Sequence, residues 1–203
     1  MGYSTDFFGQ ISLSRNLTDV ERSYINKFSD TRKVKRDVNK LMVCFNGEHG
    51  YPGVDKNSDP FLIYGNEGEY FVGDEKSCIT DRNLPPGHLP YVGRIFEEHK
   101  VRNEKMIKII ENGECQPSMY CQWIIEKYDG NDFLIWDGGE KFYCYVEWLK
   151  YLINHFFSKW GVILNGNIEW VGEEKDDRGL IVVKDNVVKE KIAKIVYDED
   201  DDE

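Results

Sequence analysis

No apolar run in this 203-residue sequence approaches the length of a membrane-spanning helix. Nor do its first residues show a basic stretch followed by an apolar one, the pattern of a secretory leader. Gly2 is not read as a myristoylation site, because Asp6 stands where that signal needs Ser or Thr. Disulfide logic is missing too. The five cysteines (Cys44, Cys78, Cys115, Cys121 and Cys144) are odd in number and contain no Cys-x-x-Cys. Free thiols in a reducing compartment follow, so the expectation is a soluble cytoplasmic protein with no membrane partner.

The catalytic vocabulary is equally thin. There is no Gly-x-Ser-x-Gly, no His-Glu-x-x-His, and no Gly-rich phosphate fingerprint between a strand and a helix. Cys115 and Cys121 with His88 or His99 do not have zinc-ligand spacing, and His49 stands apart. Cys144 and His155 fall on one predicted helix about 16 Å apart, too far for a proton transfer. No metal and no cofactor are expected. A basic field for nucleic acid is also lacking. The net charge is −11, and the six acidic residues Asp198–Glu203 carry −6 of it, leaving −5 for the other 197 residues. The tail reads as a disordered, solvated block. The one basic run, Arg32-Lys33-Val34-Lys35-Arg36, reads as a solvated helix end.

Aromatic residues, by contrast, make up 14% of the chain. Large rings bury much area at low entropic cost, so the core and any interface should be ring-rich. The length suits one sizeable core. Residues 3–13 alternate loosely and predict a strand, bent at Gly9. Thr18-Asp19-Val20-Glu21 is a capping box that opens a helix to about Val34, with Val20, Tyr24, Ile25 and Phe28 on one face. Between 35 and 116, Gly and Pro punctuate short strands at 61–64 and 69–72, followed by a polar helix over 94–111. Two runs, 120–127 and 133–136, flank Tyr128-Asp129-Gly130-Asn131 as a hairpin. A long helix follows from Glu140 to about Ser158. Phe142, Tyr145, Val146, Leu149, Leu152, Ile153 and Phe156 form one apolar stripe, and Cys144, Trp148, Tyr151 and His155 form a second. After Trp160-Gly161 the period becomes two. Asn165-Gly166 and Asp185-Asn186 predict turns in an antiparallel meander, and Ile192–Tyr197 closes the chain as a strand or helix end. The expected fold class is α+β: an antiparallel sheet or meander packed on one long aromatic helix and one N-terminal helix.

The strings QPSMYCQW (116–123), WDGGEKFYCYVEWLKYLI (136–153), LNGNIEW (164–170) and GLIVVKDNVV (179–188) resemble a family of small uncharacterised proteins from bacterial and phage-like, possibly viral, genomes. GYSTDFFG near the start and Asn83-Leu84-Pro85-Pro86 fit the same pattern. In that family the Pro-Pro element leads almost directly into the Gln-Pro element, so the resemblance implies that residues 88–115 are an insertion. The chain then divides into one domain, 1–197, and the tail 198–203. The resemblance carries no assigned activity and no catalytic residue to transfer.

Four constellations remain. Trp136-Asp137-Gly138-Gly139-Glu140 reads as a helix start, with Asp137 as N-cap and Glu140 as its capping-box partner. The two glycines are poor helix formers, so either a neighbour packs tightly there or a ligand approaches bare N–H groups beside Trp136 and Trp170. Asp137, Glu140, Glu147 and Glu169 would serve glycoside cleavage or a hard metal if they converged. Glu173-Glu174-Lys175-Asp176-Asp177 reads as a solvated loop without the spacing of a calcium loop. Trp148, Tyr151 and His155 are either a second core face or an interface, including that of a homodimer. The leading expectation is a non-catalytic binding protein for a protein partner or small metabolite. The alternatives are a carboxylate-dependent hydrolase of nucleotides or sugars, and an acidic inhibitor or immunity-like protein.

Overall fold

Alternation of buried and exposed side chains begins at the N-terminus and sets the architecture. The computed structural model describes residues 3–30, 108, 111–114, 116–118 and 120–194. Strand β1 (Thr5–Leu13) sends Phe7 and Ile11 into the core and Phe8 and Gln10 outward. Helix α1 (Asp19–Asp30) starts at the predicted capping box. The Glu21 N–H donates to Thr18 Oγ1 at 3.2 Å and the Thr18 N–H donates to the Glu21 carboxylate at 2.8 Å. Tyr24, Ile25 and Phe28 are its buried face.

Strands β2 (Trp123–Tyr128) and β3 (Asn131–Trp136) form the predicted hairpin. Its two-residue turn, Asp129-Gly130, has φ of 48° and 81°, the type I′ geometry that matches strand twist. β4 (Leu164–Gly172), β5 (Arg178–Lys184) and β6 (Val187–Ile192) make the antiparallel meander. β1 wedges between β3 and β4, so the six-stranded order is β2-β3-β1-β4-β5-β6, antiparallel throughout. The chain is thus an α+β fold. One sheet face carries Phe7, Ile11, Trp123, Ile125, Leu134, Ile168, Trp170, Ile181 and Val183, all buried, and both helices lie against it.

Two expectations change. Asn165-Gly166 is not a turn. It lies inside β4, which pairs with β1 without a break from Leu164 to Gly172. A Cβ on Gly166, at φ +157°, would stand 2.6 Å from the Gln10 carbonyl oxygen, so the glycine serves the close approach of β1. Gly166→Ala should therefore destabilise the chain by more than about 1 kcal/mol. A urea midpoint unchanged from the parent would contradict this.

The long aromatic helix also starts later. Helix α2 runs Tyr145–Leu152 and continues as a wider π-type turn over Ile153–Phe157, where the Ser158 N–H donates to the Ile153 carbonyl at 2.9 Å. The wider turn brings the adjacent rings Phe156 and Phe157 both fully into the core. Residues 137–144 are not helical, because Gly138, Lys141 and Cys144 all have positive φ (81°, 61° and 56°).

The strands at 61–64 and 69–72, the basic run Arg32–Arg36, the last residues of the helix to Val34, and the tail 198–203 lie outside the described residues. So do the helix at 94–111 apart from Lys108 and Glu111, which are helical, and the last residues of the 192–197 element. Among the described residues, no helix is long and apolar enough to cross a membrane.

Candidate functional site

The segment after β3 is built by its own side chains. The Asp137 N–H donates to the Gln122 carbonyl at 3.0 Å, which extends the β2–β3 ladder one step. The Asp137 carboxylate then accepts the Gly139 N–H at 2.7 Å. The Gln122 amide is used at both ends: it donates to the Glu140 carbonyl at 2.9 Å and accepts Trp136 Nε1–H at 3.0 Å. A Cβ on Gly139 would sit 2.9 Å from Asp137 Oδ1 and 3.1 Å from Gln122 Cδ, so close packing excludes a side chain there. Gly138 faces open space, and its positive φ is what requires glycine. The expected capped helix start is thereby corrected. Asp137 makes a local turn eight residues before α2, and the N–H groups offered to a ligand are not those of a helix end.

Trp136 is half-buried and packs edge-on to Phe7 at 5.4 Å. Phe7 also meets Trp123, Phe142 and Tyr145 at 5.6, 5.7 and 4.8 Å, a ring cluster that anchors the 137–144 loop. Above this cluster, the Ser118 hydroxyl lies within hydrogen-bond reach of the carbonyls of Tyr120 and Tyr143. Those two tyrosines are 45% and 54% exposed.

The acids do not gather. Asp137 and Glu140 are exposed on the loop. Glu169 is exposed on β4, cross-strand from Phe8, on the face away from the helices. Strand β1 separates β4 from β3, so about 10 Å of sheet lies between Glu169 and the end of β3. Glu147 stands in the first turn of α2. Burial pushes the Asp137 carboxyl up, with Asp30 adding to it. Asp137 stands one ladder step beyond β3, and β1 lies between it and Glu169 on β4. Among the described residues no group of three or more His, Cys, Asp or Glu is arranged to hold a metal. His49, His88, His99, Cys44, Cys78 and Cys115 lie outside the described residues. In the loop 173–177, Glu173 accepts the Ser4 N–H at 2.7 Å and Asp177 accepts the Tyr3 hydroxyl, so both acids tie the loop to the N-terminus.

Two of the three rings expected at an interface, Trp148 and Tyr151, are core. Trp148 is fully buried against Phe28 and Tyr151, with Nε1–H donating to Ser118 Oγ at 2.6 Å. Tyr151 is 4% exposed and stacks on His155, which is half-buried. Trp170 is also buried, beside Tyr145 at 5.9 Å and over Gly179. Its Nε1–H has no hydrogen-bond partner among the described residues. The Tyr145 hydroxyl crosses the core face to the Glu190 carboxylate at 3.2 Å. Burial raises both groups above their ordinary ranges, and each further raised by the charge of Glu147.

Sequence reasoning missed the exposed apolar positions. Phe8 is 56% exposed, Val187 56% and Ile192 71%. Adjacent residues of a strand face opposite ways, so the predicted strand at 3–13 already set Phe7 and Phe8 on opposite faces. Compared with known proteins, the chain matches no family model, no curated protein and no solved structure.

Proposed function

We propose that this chain is a non-catalytic binding protein whose ligand is a protein partner. The observation that carries this reading is the pair of exposed tyrosines Tyr120 and Tyr143, whose main-chain carbonyls both lie within reach of the Ser118 hydroxyl. Tyrosines supply large contact area at low entropic cost, and their hydroxyls tolerate a wet rim. A small metabolite in the 136–140 loop has less support, because Asp137 and Gln122 already use the loop's polar groups.

The hydrolase alternative needs two carboxylates across one cleft. Strand β1 separates the β3 end that carries Asp137 from Glu169 on β4, and the described acids form no cluster, which argues for binding over turnover. The acidic-inhibitor alternative loses support for a different reason: two of the four acids of 173–177, Glu173 and Asp177, bond the chain's own residues Ser4 and Tyr3.

The test is an activity screen of the purified chain against nucleotide and sugar substrates, beside Asp137→Asn and Glu169→Gln. No turnover is expected from any of the three. Turnover that persists through purification and vanishes in either variant would overturn the proposal.

A further inference from the structure

The two edges of the sheet are finished differently. In an antiparallel ladder, alternate residues of an edge strand turn their N–H and C=O groups away from the neighbouring strand. On β2 the outward groups belong to Trp123, Ile125 and Lys127, since Asp137 N–H bonds Gln122 and the pairing alternates from there. Helix α1 covers that edge. Asn26 Nδ2 donates to the Ile125 carbonyl at 2.9 Å, Asn26 Oδ1 accepts the Ile125 N–H at 2.7 Å, and Ser29 donates to the Trp123 carbonyl at 2.5 Å. A side-chain amide thus imitates a missing strand.

Among the described residues β6 has no such cover. The Ala193 N–H donates to the Arg178 carbonyl at 2.9 Å, so with the β5–β6 register the outward groups are those of Val188, Glu190 and Ile192. Among the described residues nothing hydrogen-bonds them. The side chains alternate sharply here. Lys189 and Lys191 lie on the face away from the helices, with Arg178 and Lys184 on β5 and the acid Glu169 one strand further in on β4. Val188 and Ile192 lie on the helix-side face, Ile192 largely uncovered. A shallow groove of about 290 Å³, lined by Glu169, Arg178, Leu180, Lys191, Ile192 and Ala193, opens at the C-terminal end of this edge.

We infer that the β6 edge takes an extended partner segment as a seventh strand, one that alternates acidic and apolar residues. Backbone N–H and C=O groups of Val188, Glu190 and Ile192 give the pairing. Acidic side chains of the segment face Lys189 and Lys191, and its apolar side chains cover Val188 and Ile192. Lysines on an edge discourage indiscriminate pairing, and the same charges select an acidic strand. A second copy of this chain is a poor occupant. Two-fold pairing centred on Glu190 sets Lys189 against Lys191 of the other copy and Glu190 against Glu190, like charges directly opposed. The inference rests on the binding-protein reading and names a site and a partner class for it.

The probe is a synthetic nine-residue peptide alternating Glu and Val, titrated into the isotopically labelled full chain and followed by amide hydrogen exchange. Slowed exchange is expected at Val188, Glu190 and Ile192, with Val187, Lys189 and Lys191, already bonded to β5, little changed. The double variant Lys189→Glu/Lys191→Glu alters only exposed side chains and should weaken binding about tenfold. A Lys–Val peptide should bind that variant better than the parent. No protection at these three amides, equal affinity for a Lys–Val peptide on the parent, or amides already protected in the free chain would each overturn the inference. None of these results touches the Tyr120–Tyr143 surface. Turnover lost in Asp137→Asn would instead remove the binding-protein reading itself.

Discussion

Trp148→Ala should destabilise the whole chain by about 3–5 kcal/mol. Trp148 is fully buried between Phe28 and Tyr151, and the truncation leaves a cavity the size of an indole beneath α2. It also strips Ser118 of the Nε1–H it accepts. For a chain of this length the loss corresponds to a fall in melting temperature of about 10 °C. Trp148→Phe keeps most of the ring volume and should cost clearly less. Urea denaturation of the isolated chain decides the matter. An interface tryptophan would leave the stability of the free chain unchanged, and that result would return Trp148 and Tyr151 to the surface.

Arg22→Met should be comparably severe, about 3–5 kcal/mol, because it strands a buried charge. The Asp132 carboxylate is wholly buried at the start of β3 and accepts Arg22 Nε–H and Nη2–H, each at 2.9 Å, and the Leu17 N–H at 2.7 Å. Arg22 also reaches Asp19 at 2.7 Å and the Leu17 carbonyl at 3.0 Å. This knot ties the start of α1 to the sheet. Replacing both partners, as in Arg22→Met with Asp132→Leu, should recover most of the loss, since no charge is then left unpaired.

The same pair sets an acid limit. Burial pushes the Asp132 carboxyl up, but the Arg22 and Leu17 hydrogen bonds more than reverse this and hold it below the ordinary range. Glu21 is held low in the same way, by Arg15 and Thr18 against the push of burial. A carboxyl depressed in the folded state contributes stability above its unfolded value of about 4 and loses it as pH falls further. Glu190 and Asp137 have the opposite sign. Raised in the folded state, they favour folding at low pH and oppose it as pH rises past about 4. Stability of the parent should therefore fall on acidification below about pH 4, and the fall should be shallower in Asp132→Asn. Denaturation midpoints at pH 7 and pH 3 test this, and equal slopes would exclude Asp132 as a source.

Much of this fold was legible where a local chemical device coincides with the pattern of apolar residues. The Thr18–Glu21 box started α1 at the expected place. Asp129-Gly130 and Asp185-Asn186 formed the predicted turns, all four residues with positive φ. The misreadings share a cause. Asn-Gly at 165–166 has turn chemistry, yet the demand of β1 for a close neighbour overrode it. Asp137 and Glu140 have capping-box spacing, yet Asp137 bonded Gly139 and Gln122 claimed the Glu140 carbonyl. Each time a partner more than ten residues away in sequence, β1 for Gly166 and Gln122 for the 137–140 turn, took part against the local signal. The stripe Trp148-Tyr151-His155 had the right period but no indication of what lay opposite, and Phe28 of α1 filled that space.

The sequence by itself determined the α+β class, the two hairpin turns, the start of α1 and the ring-rich core, because each follows from residues near one another in the chain. Only the tertiary structure decided that β1 sits between β3 and β4, that Trp148 and Tyr151 are core, and that a strand separates Asp137 from Glu169. It also decided that α1 covers one sheet edge and that, among the described residues, none pairs with the outer edge of β6. These are matters of which surfaces meet, and pairing energy between distant segments cannot be read from the spacing of residues within one of them.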